Sequence, residues 1–189
     1  MQHKFITFVG GGNMAQAIVF GLLKRGYPAE NITVCDPNEE KQRLFASKGV
    51  RVATDNVAAV SSAEVVLLAV KPQVLAEVCV PLSAVDFSDK FVISIAAGVS
   101  LARLTALLPT ATSIVRVMPN TPALVGEGMA GLFAAKTPRK TTALLRRIYC
   151  PRWAKPFGLI RKRKCTRSLR LPGVARPIFS NFQKPCNKA

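Results

Sequence analysis

Gly10, Gly12 and Ala15 stand at the spacing G-x-G-x-x-[G/A] within FITFVGGGNMA, residues 5–15. That spacing carries a particular chemistry. One glycine allows the sharp turn off a strand, and a second has no side chain to hold a phosphate away from the backbone. A small third residue then lets the next helix lie close to the sheet. A helix starting there offers unpaired N–H groups and the positive end of its dipole to an anion. The chemistry expected is the binding of a dinucleotide through its pyrophosphate.

Other residues take meaning from the strand ends they follow. Asp36 lies 26 residues after Gly10. It reads either as the acceptor of adenosine ribose hydroxyls, which would repel a 2′-phosphate, or as a turn aspartate beside Pro37. Lys71 reads as a partner for phosphate or nicotinamide ribose, or as a solvated strand-end lysine. Asn56 either caps a short helix or reaches the cofactor. Gly98 lets the backbone turn or approach a ligand. Arg116 could pair with a substrate carboxylate or anchor a loop. Asn120 and Thr121 offer an amide and a hydroxyl to a small ligand, although Pro119 and Pro122 around them mark a rigid turn. The one histidine, His3, precedes the first strand and is a poor candidate for a catalytic base. Neither C-x-x-C nor G-x-S-x-G occurs. Hydride transfer needs neither, because the cofactor carries that chemistry and the protein positions it.

The elements that must position these residues alternate. Apolar runs predict strands over Phe5–Val9, Ile32–Cys35, Arg51–Ala53, Val65–Val70, Phe91–Ile95 and Ser113–Val117. Helices are predicted over Asn13–Arg25, Glu39–Ser47, Asn56–Ser61, Gln73–Val80 and Leu101–Leu108. VVLLAV is apolar throughout, as a strand buried on both faces must be. The pattern predicts an α/β, Rossmann-like, doubly wound parallel sheet with its site at the carboxyl ends of the strands. The loops at Gly10–Met14, Asp36–Asn38, Ala69–Pro72, Ala96–Gly98 and Pro119–Pro122 would then share one edge.

Charge divides the chain in two. Of 27 Lys and Arg residues, 15 fall after residue 136, where none of the 10 acids lies. Residues 1–136 read as the dinucleotide-binding unit, and residues 137–189 as a basic tail with no apolar period to organise a fold. Cys35 and Cys79 make no disulfide framework in the body, which suits a reducing, cytoplasmic setting. No signal peptide is read at Met1–Lys4. No apolar run reaches the roughly 18 residues of a membrane span, so no membrane partner is expected.

Taken together, VGGGNMAQAI, LLAVKPQ, VISIAAGVS and RVMPNTPALVGEGM resemble the N-terminal domain of pyrroline-5-carboxylate reductases, over about residues 4–135. The resemblance implies an oxidoreductase that reduces the C=N bond of 1-pyrroline-5-carboxylate with NADPH or NADH, the last step of proline synthesis. It implies that Val9, Gly10, Gly11, Gly12, Asn13 and Met14 cradle the pyrophosphate. Asp36, Asn56, Ala69, Val70, Lys71, Pro72, Ala96, Ala97 and Gly98 would line the rest of the dinucleotide. Members preferring NADPH often carry Ser, Thr or Asn with a basic neighbour where this chain has Asp36-Pro37, so the choice between NADPH and NADH stays open.

The tail departs from that family. Family members continue into a helical domain that forms the homo-oligomer and completes the substrate site, opening near a motif like MHAVTATSGSGPAY. Read one nucleotide out of register, one choice of codons for MHAVTAT gives CTRSLRL, which is Cys165–Leu171, and one choice for SGSGPAYF gives PGVARPIF, which is Pro172–Phe179. Ala154–Gly158 is likewise a shifted reading of GKTVW. The tail is therefore expected to be out-of-frame sequence from near Thr137, and this chain an inactive, truncated reductase without the oligomer. Two alternatives remain: a dinucleotide-binding module without catalysis, and a nucleic-acid binder using the tail and its Arg161–Lys164 run. Nonspecific polyanion binding follows from the charge in either case.

Overall fold

The computed structural model describes residues 3–119 and 130–134. The first strand, β1 (Ile6–Val9), enters helix α1 (Asn13–Lys24) through the three glycines. A single 3-10 turn at Ala29–Asn31 leads to β2 (Ile32–Cys35), followed by α2 (Glu39–Ala46) and β3 (Arg51–Ala53). Next come α3 (Asn56–Ser61), β4 (Val65–Leu68), α4 (Leu75–Leu82) and β5 (Phe91–Ser94). Helix α5 (Leu101–Leu107), β6 (Ser113–Pro119) and β7 (Ala130–Ala134) complete the described elements.

The strand order is β3-β2-β1-β4-β5-β6-β7. The first six strands are parallel, and β7 pairs antiparallel with β6. The chain winds outward from β1 to β3, then crosses back to lay β4 on the other side of β1. That reversal is the switch point where doubly wound sheets leave a crevice for ligand. The predicted architecture is thus observed, with an antiparallel strand that the sequence reading did not include.

Each face of the sheet has its own core, and the pleat explains which residue goes where. Ile6, Phe8, Val65, Leu67 and Ile93 join Val19, Leu22 and Phe45 on one face. Val9, Val66, Leu68 and Val92 join Leu75, Leu82, Phe87 and Leu104 on the other. Alternate residues of β4 point into opposite cores, which is why its sequence is apolar without interruption.

Several boundaries differ from the sequence reading. β4 stops at Leu68, not Val70, because the chain turns at once: the Val74 N–H bonds the Lys71 carbonyl. α4 starts at Leu75 and runs past Pro81 to Leu82. Proline near a helix end removes one bond without stopping the turn that follows, and Ser83 N–H still reaches the Cys79 carbonyl. β6 continues to Pro119 because β7 supplies a partner along it.

Candidate functional site

The glycine-rich loop is set by steric need at two positions. Gly10 has φ +102°, and a Cβ there would lie 2.8 Å from the Ala69 carbonyl oxygen. Its N–H donates to the Cys35 carbonyl at 2.7 Å, while Ala69 N–H donates to Val9 at 2.8 Å. The ends of β1, β2 and β4 are thereby drawn together at Gly10. At Gly11 a Cβ would meet Phe45 Cε2 at 2.9 Å and Asp36 Cβ at 3.2 Å. Phe45 is fully buried, so α2 packs directly against the loop.

Gly12 is the opposite case. A Cβ there would meet nothing within 4 Å, and its φ of −68° is open to any residue. It is the N-cap of α1, and no side chain caps it. The first helical bond runs from Gln16 N–H to the Gly12 carbonyl. The amides of Asn13, Met14 and Ala15 are the ones a helix leaves for water or ligand. Ala15 is buried against the sheet as a small third residue must be. The space and donors at Gly12–Met14 fit a pyrophosphate.

Asp36 is held in the turn beside Pro37 by backbone and side-chain donors. It is 7 % exposed. One carboxylate oxygen accepts from Gly11 N–H at 2.8 Å and from Lys41 Nζ at 3.1 Å; the other accepts from Asn38 N–H at 2.9 Å. The turn-aspartate reading is therefore observed, with a long-range bond added. Burial works against the charged form, but the Asn38 and Gly11 amides and the Lys41 ammonium outweigh it. The carboxyl consequently titrates below its ordinary value. Gln16 Nε2 donates to the Gly11 carbonyl at 3.2 Å, so side chains hold both ends of that residue.

The other predicted residues fall along one edge. Ala53, Cys35, Val9, Leu68, Ser94 and Arg116 form a continuous row across the sheet. The loops begin at or just past that row. Ala69, Val70 and Pro72 are half-buried and Lys71 exposed; Ala96 is buried, with Ala97 and Gly98 exposed. Gly98 turns with φ +74°. Arg116 lies within β6 on the shared row, half-buried. Asn56 does not cap α3. Asp55 does, accepting from Val57 and Ala58 N–H at 2.8 and 3.3 Å, and Asn56 is the first helical residue. Asn120 and Thr121 lie outside the described residues, as does the 137–189 tail. Sequence reasoning missed Lys41, Gln16 and Asp55; an acid before Asn56 was a legible capping signal, whereas the contacts of Lys41 and Gln16 with the loop arise only in the fold.

A parallel doubly wound sheet with an open helix N-terminus at its switch point is the architecture of a dinucleotide-binding domain. Comparison with known proteins narrows this. Residues 5–98 match the family model described as NADP oxidoreductase, coenzyme F420-dependent. The chain is 71% identical over 136 residues to pyrroline-5-carboxylate reductase of Haemophilus influenzae, covering 72% of this chain and 50% of that protein. A solved pyrroline-5-carboxylate reductase from Coxiella burnetii superposes with TM-score 0.73 at 38% identity, over 79% of this chain and 58% of that one. The Plasmodium falciparum enzyme, solved with NADP bound, gives TM-score 0.68 at 25% identity, over 79% and 55%. Over its N-terminal portion this chain is similar to pyrroline-5-carboxylate reductases. The chain spans about half the length of the curated relatives it matches.

Proposed function

We propose that residues 1–136 bind NADPH or NADH as the N-terminal domain of a pyrroline-5-carboxylate reductase, and that this chain as it stands does not turn over. The open N-terminus of α1 at Gly12 is the observation that carries the binding. Bound there, the dinucleotide would have its pyrophosphate on the Gly12–Met14 amides and its two halves along the loops after β2, β4 and β5. When bound, the reduced nicotinamide supplies the hydride for the C=N carbon of 1-pyrroline-5-carboxylate. Arg116, on the same sheet row, keeps both of its readings, a partner for the substrate's carboxylate or an anchor for a loop.

Turnover needs near-attack geometry, worth roughly 7–11 kcal/mol in well-oriented systems. The family resemblance assigns much of that geometry, and the homo-oligomer, to a helical domain that residues 137–189 do not spell. The shifted-frame match of Cys165–Phe179 supports reading the tail as out-of-frame sequence. The few, buried thiols of Cys35 and Cys79 support a cytoplasmic setting.

Fluorescence titration of the 189-residue chain with NADPH and NADH, followed by a turnover assay with 1-pyrroline-5-carboxylate, tests this. Saturable binding without turnover is expected. Absence of binding would overturn the cofactor reading, and turnover would show that these residues suffice for catalysis.

A further inference from the structure

An acid at the end of the second strand of such a fold ordinarily accepts the ribose hydroxyls of the cofactor. Here the carboxylate is otherwise employed. Three donors from Gly11, Asn38 and Lys41 converge on its two oxygens, inside a residue only 7 % exposed. The ammonium that pairs with it is itself 37 % exposed.

The bond to Gly11 spans 25 residues and crosses from β2 to the glycine-rich loop. Phe45 closes the same residue from the α2 side, and Gln16 takes its carbonyl from α1. With its N–H turned to Asp36 and its C=O to Gln16, the Gly11 backbone is fixed in orientation, and its amide is withdrawn from any phosphate. The Gly12–Met14 amides are left as the anion donors.

We propose that Asp36 is a positioning residue that buckles the glycine-rich loop to the second strand, and that it does not read the cofactor's ribose. This rests on the dinucleotide reading above. The two roles make opposite demands on selectivity. A ribose reader discriminates against a 2′-phosphate, so removing its charge weakens NADH and favours NADPH. A buckle acts through the pyrophosphate cradle common to both cofactors, so cutting it weakens both alike.

The test is the dissociation constants of NADPH and NADH for the unaltered chain and for Asp36→Asn and Asp36→Glu. Loss of a charge-assisted hydrogen bond should raise both constants about tenfold in each variant, with their ratio held within about twofold. Glutamate keeps the charge and ribose-accepting power, but its extra methylene carries the carboxylate off the position that makes the 2.8 Å bond to Gly11. A ratio shifting about tenfold towards NADPH in Asp36→Asn, or normal NADH affinity in Asp36→Glu, overturns the proposal. If the variants fail to fold, amide exchange in the unaltered chain decides: Gly11 N–H should be protected both free and with NADH. Exchange of that amide at the rate of an open loop, or its release when NADH binds, refutes the buckle. An unaltered chain that binds neither cofactor refutes the dinucleotide reading, and Gly11 protection then judges the buckle alone.

Discussion

Three adjacent glycines do three different jobs, and substitution separates them. Gly10→Ala would force a side chain onto φ +102° and against the Ala69 carbonyl, a strain of roughly 1–3 kcal/mol. Its thermal midpoint should fall and take cofactor binding with it. Gly12→Ala meets no atom within 4 Å at an ordinary φ, so stability should hold, or rise by about 0.4–1 kcal/mol through the unfolded chain. Yet its methyl occupies the phosphate's approach, and the NADPH dissociation constant should rise at least about tenfold. Paired thermal melts and titrations check this; a Gly12→Ala chain that binds normally would remove the pyrophosphate from that position. Asp36 adds a pH signature. Its folded value lies below the ordinary 3.8, so its contribution is complete above 3.8 and is lost as pH falls through the folded value. Denaturant unfolding in acid should show a loss that Asp36→Asn lacks, because the variant has no proton to gain there. Equal slopes for both proteins would mean the carboxylate is unbonded.

At the scale of elements, the same physics decides what the sequence discloses. VVLL in β4 was legible because a strand sealed between two cores admits only apolar residues. The end of that strand was not: Ala69 and Val70 continue the apolar run, and the turn after them is set by packing of Ala69 on Gly10. β7 was illegible for a related reason, since AGLFA has little strand propensity and gains its conformation from pairing with β6. Half the site, the glycine spacing, follows from local backbone chemistry; the other half, the Asp36–Gly11 bond, joins residues whose proximity only the fold creates. The elements also differ in how they should open. Burial raises the thiol of Cys35, with Asp55 adding to it, and that of Cys79 to about 11 each, so neither should react in the native state near pH 8. Cys35 lies in β2, bonded on both sides by β1 and β3. Cys79 lies in α4, which lacks a side-chain N-cap and contains Pro81. In mild denaturant, site-resolved alkylation should therefore reach Cys79 before Cys35. Simultaneous labelling would mean that helix and sheet open as one unit.

The whole molecule joins a nearly balanced body to a strongly basic tail, and these two parts should answer to salt differently. A dinucleotide carries few charges and is held by fixed amides in a shaped loop, so its affinity should change little with ionic strength. Polyanion binding by 15 cations with no acids among them is driven by counterion release, and its logarithm falls with that of salt at a slope of about −0.9 per phosphate neutralised. Six contacts would cost about a thousandfold or more between 50 and 200 mM salt. Measured on the full chain, duplex DNA binding should collapse over that range while NADPH binding persists. A chain ending after residue 136 should lose the DNA binding and keep the NADPH affinity, because every described residue of the cradle precedes that point. DNA binding that survives the deletion would place a polyanion surface on the sheet domain itself. NADPH binding that vanishes with the tail would mean that residues 137–189 support the cradle, and that reading them as out-of-frame sequence is wrong.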